Sequence, residues 1–273
     1  MWAPAWQALR FRFAEKCNLS RVIRIAAAGD IHASEATRER IESAFATVEG
    51  EADVVLLAGD LTTTGEPEQA EVLAHAVRAI STPIFAVLGN HDLHNARGDE
   101  IRAALEKGGI TVLERDFAVA EIAGMQIGIA GTKGFVGGFP GSSLPDFGEP
   151  LLRQVYAETT AEVDALADGL RQIAQCDLRI VLLHYAPTAD TLEGEPEGIH
   201  AFLGSDRLAI PIAEYRPDLV LHGHAHAGSF EGCVGTVPVY NVAVHVMGRD
   251  FWIFDLEGTH GHAEVEVEAP LPD

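Results

Sequence analysis

Asp30 and His32, Asp60, the run Asn90-His91-Asp92, His184, and His224 with His226 are the side chains of this chain best suited to chemistry. They are oxygen and imidazole donors, and no cysteine stands among them. Donors of this kind suit Mn, Fe, Zn or Co in an open, catalytic site rather than a closed structural zinc site. They exceed what one ion needs, whereas two ions sharing a carboxylate would use such a set in full.

These residues must be positioned by elements the sequence also announces. Val22–Ala28, Asp53–Ala58 and Ile84–Leu88 are apolar runs that read as buried strands. Each ends in glycine and a polar residue: Gly29-Asp30, Gly59-Asp60 and Gly89-Asn90. Helical spacing follows the first two, over 35–48 with Ile41, Phe45 and Val48, and from Pro67 through Ala70, Leu73 and Val77. Three successive β-loop-α units predict right-handed crossovers with all three loops on one sheet edge, where open α/β sheets bind ligands. A short helix is expected over 99–107, then strands at 110–113, 117–122 and 125–130, the last two joined by a hairpin turn at Ala123-Gly124. A loop rich in Gly, Pro and Phe covers 131–150, and loops of that length are either functional lids or disordered. The longest helix is expected over 151–175. A strand at 178–183 delivers His184, an acidic loop follows over 186–204, and a helix is expected over 205–215. The strand Leu219–Leu221 delivers His224 and His226, and strands near 227–233, 236–242 and 251–256 complete the chain. Glu264, Glu266 and Glu268 alternate on a solvated edge or tail.

The bulk composition narrows the classes of function. With 273 residues and 47% hydrophobic content, the chain can bury one large α/β core. Its 19 basic against 41 acidic residues give a net charge of -22, which repels duplex nucleic acid but leaves room for a local positive site. Cys17, Cys176 and Cys233 are odd in number and widely spaced, which fits a reducing compartment rather than a disulfide framework. Residues 1–21 form a separate N-terminal segment. Trp2, Trp6, Leu9 and Phe13 share a helical face, flanked by Arg10, Arg12, Lys16 and Arg21. Docking on the body or on a sister subunit is expected for it, with peripheral contact to anionic lipid as the alternative. Gln7, Arg10, Arg12, Glu15 and Lys16 interrupt any secretory leader, so a cytoplasmic protein is expected. The rest, 22–273, reads as one domain.

Asp30-x-His32, Gly59-Asp60, Gly89-Asn90-His91-Asp92, His184 and Gly223-His224-x-His226 together resemble, in order, the full motif set of the calcineurin-like metallophosphoesterases. The resemblance implies a four-layer α-β-β-α sandwich of two mixed sheets flanked by helices. It implies that Asp30, His32, Asp60 and His226 hold one metal ion, and that Asp60, Asn90, His184 and His224 hold a second. A small phosphoester would then be hydrolysed by a hydroxide held on the two ions. His91 would stay off the metals and protonate the leaving oxygen, with Asp92 orienting its ring.

General chemistry agrees with those implied roles. Ions lower the pKa of bound water from ~15.7 toward ~7, an Asn ligand cancels no charge, and an imidazole titrates where a leaving alkoxide needs a proton. The ligand set accepts Mn, Fe or Zn alike. Lys133, opening the Gly-rich loop, and His200, in the acidic loop, are further candidates to contact substrate. Phe135 and Phe139 would stack on a base or cover the metals as a lid, or else pack the loop down.

Departures from the family pattern narrow the substrate. The stretch Gly59-Asp60-Leu61-Thr62-Thr63-Thr64-Gly65 places Thr64 where the Ser/Thr protein phosphatases carry a phosphate-gripping Arg. The chain is more similar to the small bacterial members, which include phosphodiesterases of cyclic nucleotides and of lipid-linked or other small esters. Some members of the fold have lost ligands and act as scaffolds for protein interactions. That alternative predicts missing donors, and none is missing here.

Overall fold

Val54–Ala58 and Ile84–Val87 are apolar at every position, so they need cover on both faces. The computed structural model describes residues 21–258 and provides that cover. In chain order the first half is β1 (Arg21–Ala28), α1 (Arg38–Val48), β2 (Val54–Ala58), α2 (Pro67–Ala76), β3 (Ile84–Val87), α3 (Gly98–Lys107) and β4 (Ile110–Val112). A hairpin of β5 (Asp116–Ile122) and β6 (Met125–Gly131) follows, then a small pair, β7 (Gly138–Phe139) and β8 (Ser142–Ser143). The second half is α4 (Pro150–Gln172), β9 (Leu178–Leu182), the short α5 (His200–Leu203), α6 (Ala209–Tyr215), β10 (Leu219–His222), β11 (Glu231–Val234), β12 (Val237–Asn241), the one-turn α7 (Val244–Met247) and β13 (Trp252–Gly258). Pro67 and Pro150 open α2 and α4 in the first turn, where a missing N–H leaves no bond unmade.

One sheet has the order β13-β1-β2-β3-β4 and is parallel except at β13. The other has the order β11-β12-β10-β9-β6-β5, with a parallel middle and antiparallel edges. Alternation along β9 shows how they stack. Ile180 and Leu182 share a core with Ile25, Leu56 and Val87 of the first sheet. Val181 and the following Leu183 share another with Leu166 and Leu170 of α4 and Ile212 of α6. Successive strand residues point to opposite faces, so this sheet lies between the first sheet and its helices. Phe45, Leu73 and Leu105 bring α1, α2 and α3 onto the outer face of the first sheet. Four layers result, as the family resemblance implies.

The differences from the sequence reading are local. The helices over 35–48 and 205–215 each open with a 3-10 turn, Glu35–Thr37 and Asp206–Leu208. The strand near 227–233 begins only at Glu231, because Gly228 and Ser229 turn back onto Ala225 and Thr191. The loop over 186–204 contains α5 and two 3-10 turns, and α7 was not foreseen. The Gly-rich loop packs down at Phe139, which is buried against Leu192, Leu203 and Ala225. The aromatic-basic face of residues 1–20 lies outside the described residues, as do His260, His262 and the Glu264–Glu268 alternation. No helix among the described residues is long and apolar enough to cross a membrane.

Leu56 is fully buried between the sheets. Leu56→Ala should cost about 2–5 kcal/mol of unfolding free energy in urea titration. A loss below about 1 kcal/mol would contradict a shared, close-packed core.

Candidate metal centre

The parallel strands of both sheets end at one edge, and backbone hydrogen bonds tie their loops together. Asp30 N–H donates to the Gly59 carbonyl (2.9 Å), His32 N–H to that of Asp60 (3.0 Å), and Gly223 N–H to that of His184 (3.1 Å). Gly29 N–H donates to the Val242 carbonyl at 2.7 Å, which draws the end of β1 toward the other sheet. Five segments far apart in sequence therefore meet. Asp30, His32, Asp60 and His224 all adopt the left-handed backbone region, which is unfavourable for non-glycine residues. The loops hold them there, and strain of this kind gathers at functional sites. Gly89 is required by contact: a Cβ there would lie 2.1 Å from Asp60 Oδ1.

The donor atoms fall into two groups that share a residue. Asp30, His32, Asp60 and His226 each offer an atom within 4.8 Å of the others, and so do Asp60, His184 and His224. Asn90 joins the second group, its Oδ1 lying 2.8 Å from His184 Nε2. Asp30 and Asp60 are buried, yet among the described residues no Lys or Arg pairs with either. Buried carboxylates need a compensating charge. The donor chemistry thus fits bound cations.

The imidazole protons support the same fit. His184 Nδ1 faces the Ala58 carbonyl at 2.9 Å, and a carbonyl only accepts, so Nδ1 carries the proton. In this tautomer the Nε2 lone pair meets Asn90 Oδ1 at 2.8 Å and Asp60 Oδ1 at 3.3 Å. Three lone pairs converge there, an arrangement that a cation resolves. His32 Nδ1 faces the Thr62 carbonyl (3.3 Å) and His224 Nε2 that of Phe202 (3.1 Å), which leaves the opposite ring nitrogen of each for a ligand.

Burial lowers the pKa of His32, and lowers that of His224 to about 3, so His224 stays neutral as ligation requires. Burial alone would raise Asp30, but its hydrogen bond with His226 and the charges of His184 and His226 outweigh that and hold it below the usual carboxylate range. The same hydrogen bond (2.7 Å) raises His226.

His91 belongs to neither group. Its Nδ1–H donates to the Thr63 carbonyl at 2.7 Å, and its Nε2 stands 3.9 Å from Asp60 Oδ2 with 43% of the side chain exposed. Asp92 does not orient this ring, contrary to the sequence expectation. It is fully buried and accepts four hydrogen bonds, from Gly89 N–H (2.8 Å) and Leu61 N–H (3.1 Å) on one oxygen, and from Thr62 N–H and Oγ1–H (both 2.7 Å) on the other. Burial pushes its carboxyl upward, while the Thr62 and Gly89 bonds work the other way. Asp92 is a staple between the loops that present Asp60 and Asn90.

Lys133 and His200 are not brought into the donor groups. Lys133 Nζ donates to the Gly134 carbonyl (2.9 Å), lies 3.9 Å from Glu162, and sits over the Phe135 ring at 4.2 Å. His200 Nε2 contacts the Glu195 carbonyl at 3.3 Å. His222 is a buried structural residue between the Gly223 carbonyl and Thr191 Oγ1, each at 2.8 Å.

Two residues at the centre were not foreseen. His245 stacks on His226 with ring centres 4.3 Å apart, and Tyr185 lies 4.4 Å from the His224 ring. Burial raises the Tyr185 phenol, with Asp60 and Glu162 adding to the effect, so it remains a proton donor. Its place directly after His184 was the one available signal.

The match to known proteins agrees with this geometry. The family model described as Calcineurin-like phosphoesterase matches residues 23–228, most of the chain. The chain belongs to that family, and it is a metal-dependent hydrolase of phosphoric ester bonds. Among curated proteins none matches it. Its fold is similar to that of a phosphopantetheinyl hydrolase from Mycobacterium tuberculosis, with a TM-score of 0.64 at 16% identity, covering 85% of this chain and 95% of that one. A protein described as a 5'-nucleotidase from Staphylococcus aureus gives 0.54 at 13% identity, covering 89% and 55%. The GAP50 anchor in the inner membrane complex of Plasmodium gives 0.53 at 11% identity, covering 82% and 72%. At such identities the likeness is one of fold.

If Asp92 is a staple, Asp92→Asn places an N–H against donors. Unfolding free energy in urea should fall by about 1–3 kcal/mol, with the leaving-group dependence of hydrolysis as in the wild type. A changed leaving-group dependence at full stability would return Asp92 to the role of orienter.

Proposed function

We propose that the chain hydrolyses a small phosphomonoester or phosphodiester at two metal ions. Asp30, His32, Asp60 and His226 hold one, and Asp60, Asn90, His184 and His224 hold the other. The observation that carries this reading is Asp60, a buried carboxylate that has no Lys or Arg partner among the described residues and falls in both donor groups. Bound there, two divalent ions supply Lewis acidity toward a phosphoryl oxygen and acidify water at neutral pH. Mn, Fe and Zn all suit the donors.

The chain's own residues do the rest. The Thr63 carbonyl fixes the His91 ring by its Nδ1–H, so Nε2 is the atom that carries the second proton. That nitrogen faces the shared carboxylate from the open side of the site, where it can hand its proton to the leaving oxygen. The Asp92 staple keeps Asn90 and His91 in register with Asp60. A net charge of -22 disfavours duplex nucleic acid as substrate and leaves a small ester in a cytoplasmic setting as the natural partner.

His91→Ala should retain both ions by elemental analysis but slow turnover by ~10²–10⁴. The loss should be larger for alkyl esters than for p-nitrophenyl esters, whose leaving group needs no proton. Equal losses on both would contradict proton donation by His91.

A further inference from the structure

Beside the metal centre, at the ends of β3, β4 and β6, lies a cavity of about 310 Å³. It shares the edge of the sandwich that carries the donor groups. Leu88 and Leu93, which bracket the Gly89–Asp92 run, contribute apolar lining, as does Leu113 after β4. The remaining lining is charged, and its hydrogen bonds show which charges are already matched. Glu162 of α4 accepts from Arg115 Nε (3.1 Å) and Nη2 (3.0 Å) on one oxygen, and from Gly134 N–H (3.0 Å) and Thr132 Oγ1–H on the other. Arg115 Nη2 also meets Glu158. Lys133 is held by the Gly134 carbonyl and by Glu162. Two cations thus face two carboxylates. Glu114 is left in excess, with only a 3.5 Å contact to Arg102, which bonds Glu106 more closely at 2.8 Å.

Tyr185 links the cavity to the metal centre. Its ring lies 4.4 Å from that of His224 and 5.4 Å from that of His184, and Lys133 Nζ, in the cavity lining, is 5.1 Å from the same ring. Tyr185 is 5% exposed, and its hydroxyl has no hydrogen-bond partner among the described residues. Every fully buried side-chain N or O there has a partner, so the phenol oxygen is not sealed in the core. Tyr185 thus stands beside the metal centre and next to Lys133 of the cavity lining, so the two sites are neighbours that one ligand can occupy.

We propose that this cavity is the subsite for the organic part of the phosphoester, and that it selects an apolar stem ending in a cationic or neutral polar group over one ending in a second anion. The inference rests on reading the adjacent centre as the phosphoester site. The three leucines receive the stem. A terminal ammonium or hydroxyl meets the carboxylate of Glu114, the one left in excess. A terminal carboxylate or phosphate meets the excess negative charge and finds no free cation among the described residues of the lining, since Arg115 and Lys133 are already engaged.

The test uses three phosphomonoesters of one four-carbon chain, ending in ammonium, hydroxyl or carboxylate, with the Mn²⁺-loaded protein. kcat/KM for the first two should exceed that for the carboxylate by at least about tenfold, with the gap narrowing at high salt. Glu114→Lys should close or invert it. Equal rates, or preference for the carboxylate, would overturn the inference. Bis-p-nitrophenyl phosphate serves as the check on the underlying reading, because a metal-loaded protein inert toward it and toward all three esters is not acting as proposed. The cavity is then judged by binding alone, with 4-aminobutanol and 4-hydroxybutanoate titrated onto the zinc-loaded protein. Saturable NMR shifts of the Leu88, Leu93 and Leu113 methyls with the amino alcohol alone support the subsite. Shifts with neither compound, or with the carboxylate, overturn it.

Discussion

A buried carboxylate without a fixed cation is unstable unless something mobile supplies the charge. Asp60 is that group here. It is 1% exposed, its Oδ1 accepts from the His91 backbone N–H at 2.8 Å, and imidazoles rather than Lys or Arg surround it. Backbone carbonyls hold the His32, His184 and His224 rings by one nitrogen each. His184 is protonated on the side that faces Ala58, and burial keeps His224 from taking up a proton. The site is thereby a convergence of carboxylate and imidazole lone pairs, and affinity for metal ions is the physical consequence.

The scaffold exists to bring those lone pairs together against their preferences. The donors come from loops as far apart in sequence as Asp30 and His226, and four of them sit in a backbone region that disfavours side chains. Nothing local stabilises this. The hydrogen bonds between loops do, together with Asp92, whose four donors lock the β2 and β3 loops into one unit. The two-sheet core supplies the rigidity beneath them, because both sheets pack into one close apolar layer. Gly89 completes the design by omission, since any side chain there would displace Asp60.

Much of this was legible in the chain. Strands that are apolar at every position announce burial on both faces, and a glycine followed by a polar residue at the end of each marks the functional edge. What was not legible depended on direction. Asp92 follows His91, and adjacency made it the natural orienter of that ring. After a strand, however, neighbouring side chains diverge: Asp92 turns inward to backbone donors, while Thr63, distant in sequence, reaches the imidazole. Lys133 looked free because it opens a Gly-rich loop, but its partner Glu162 lies on α4 and only the fold brings the two together. Tyr185, following an apolar run, reads as core, and only its neighbours and a hydroxyl with no partner among the described residues give it a further role.

The account depends on Asp60 serving two ions at once. The direct measurement is metal content per chain, by elemental analysis after loading and gel filtration, for the wild type and for Asp60→Asn with its secondary structure checked by circular dichroism. The account predicts about two ions in the wild type and fewer than about one in the folded variant, since both groups lose their shared carboxylate. A single ion in the wild type, or two retained by the variant, would contradict it.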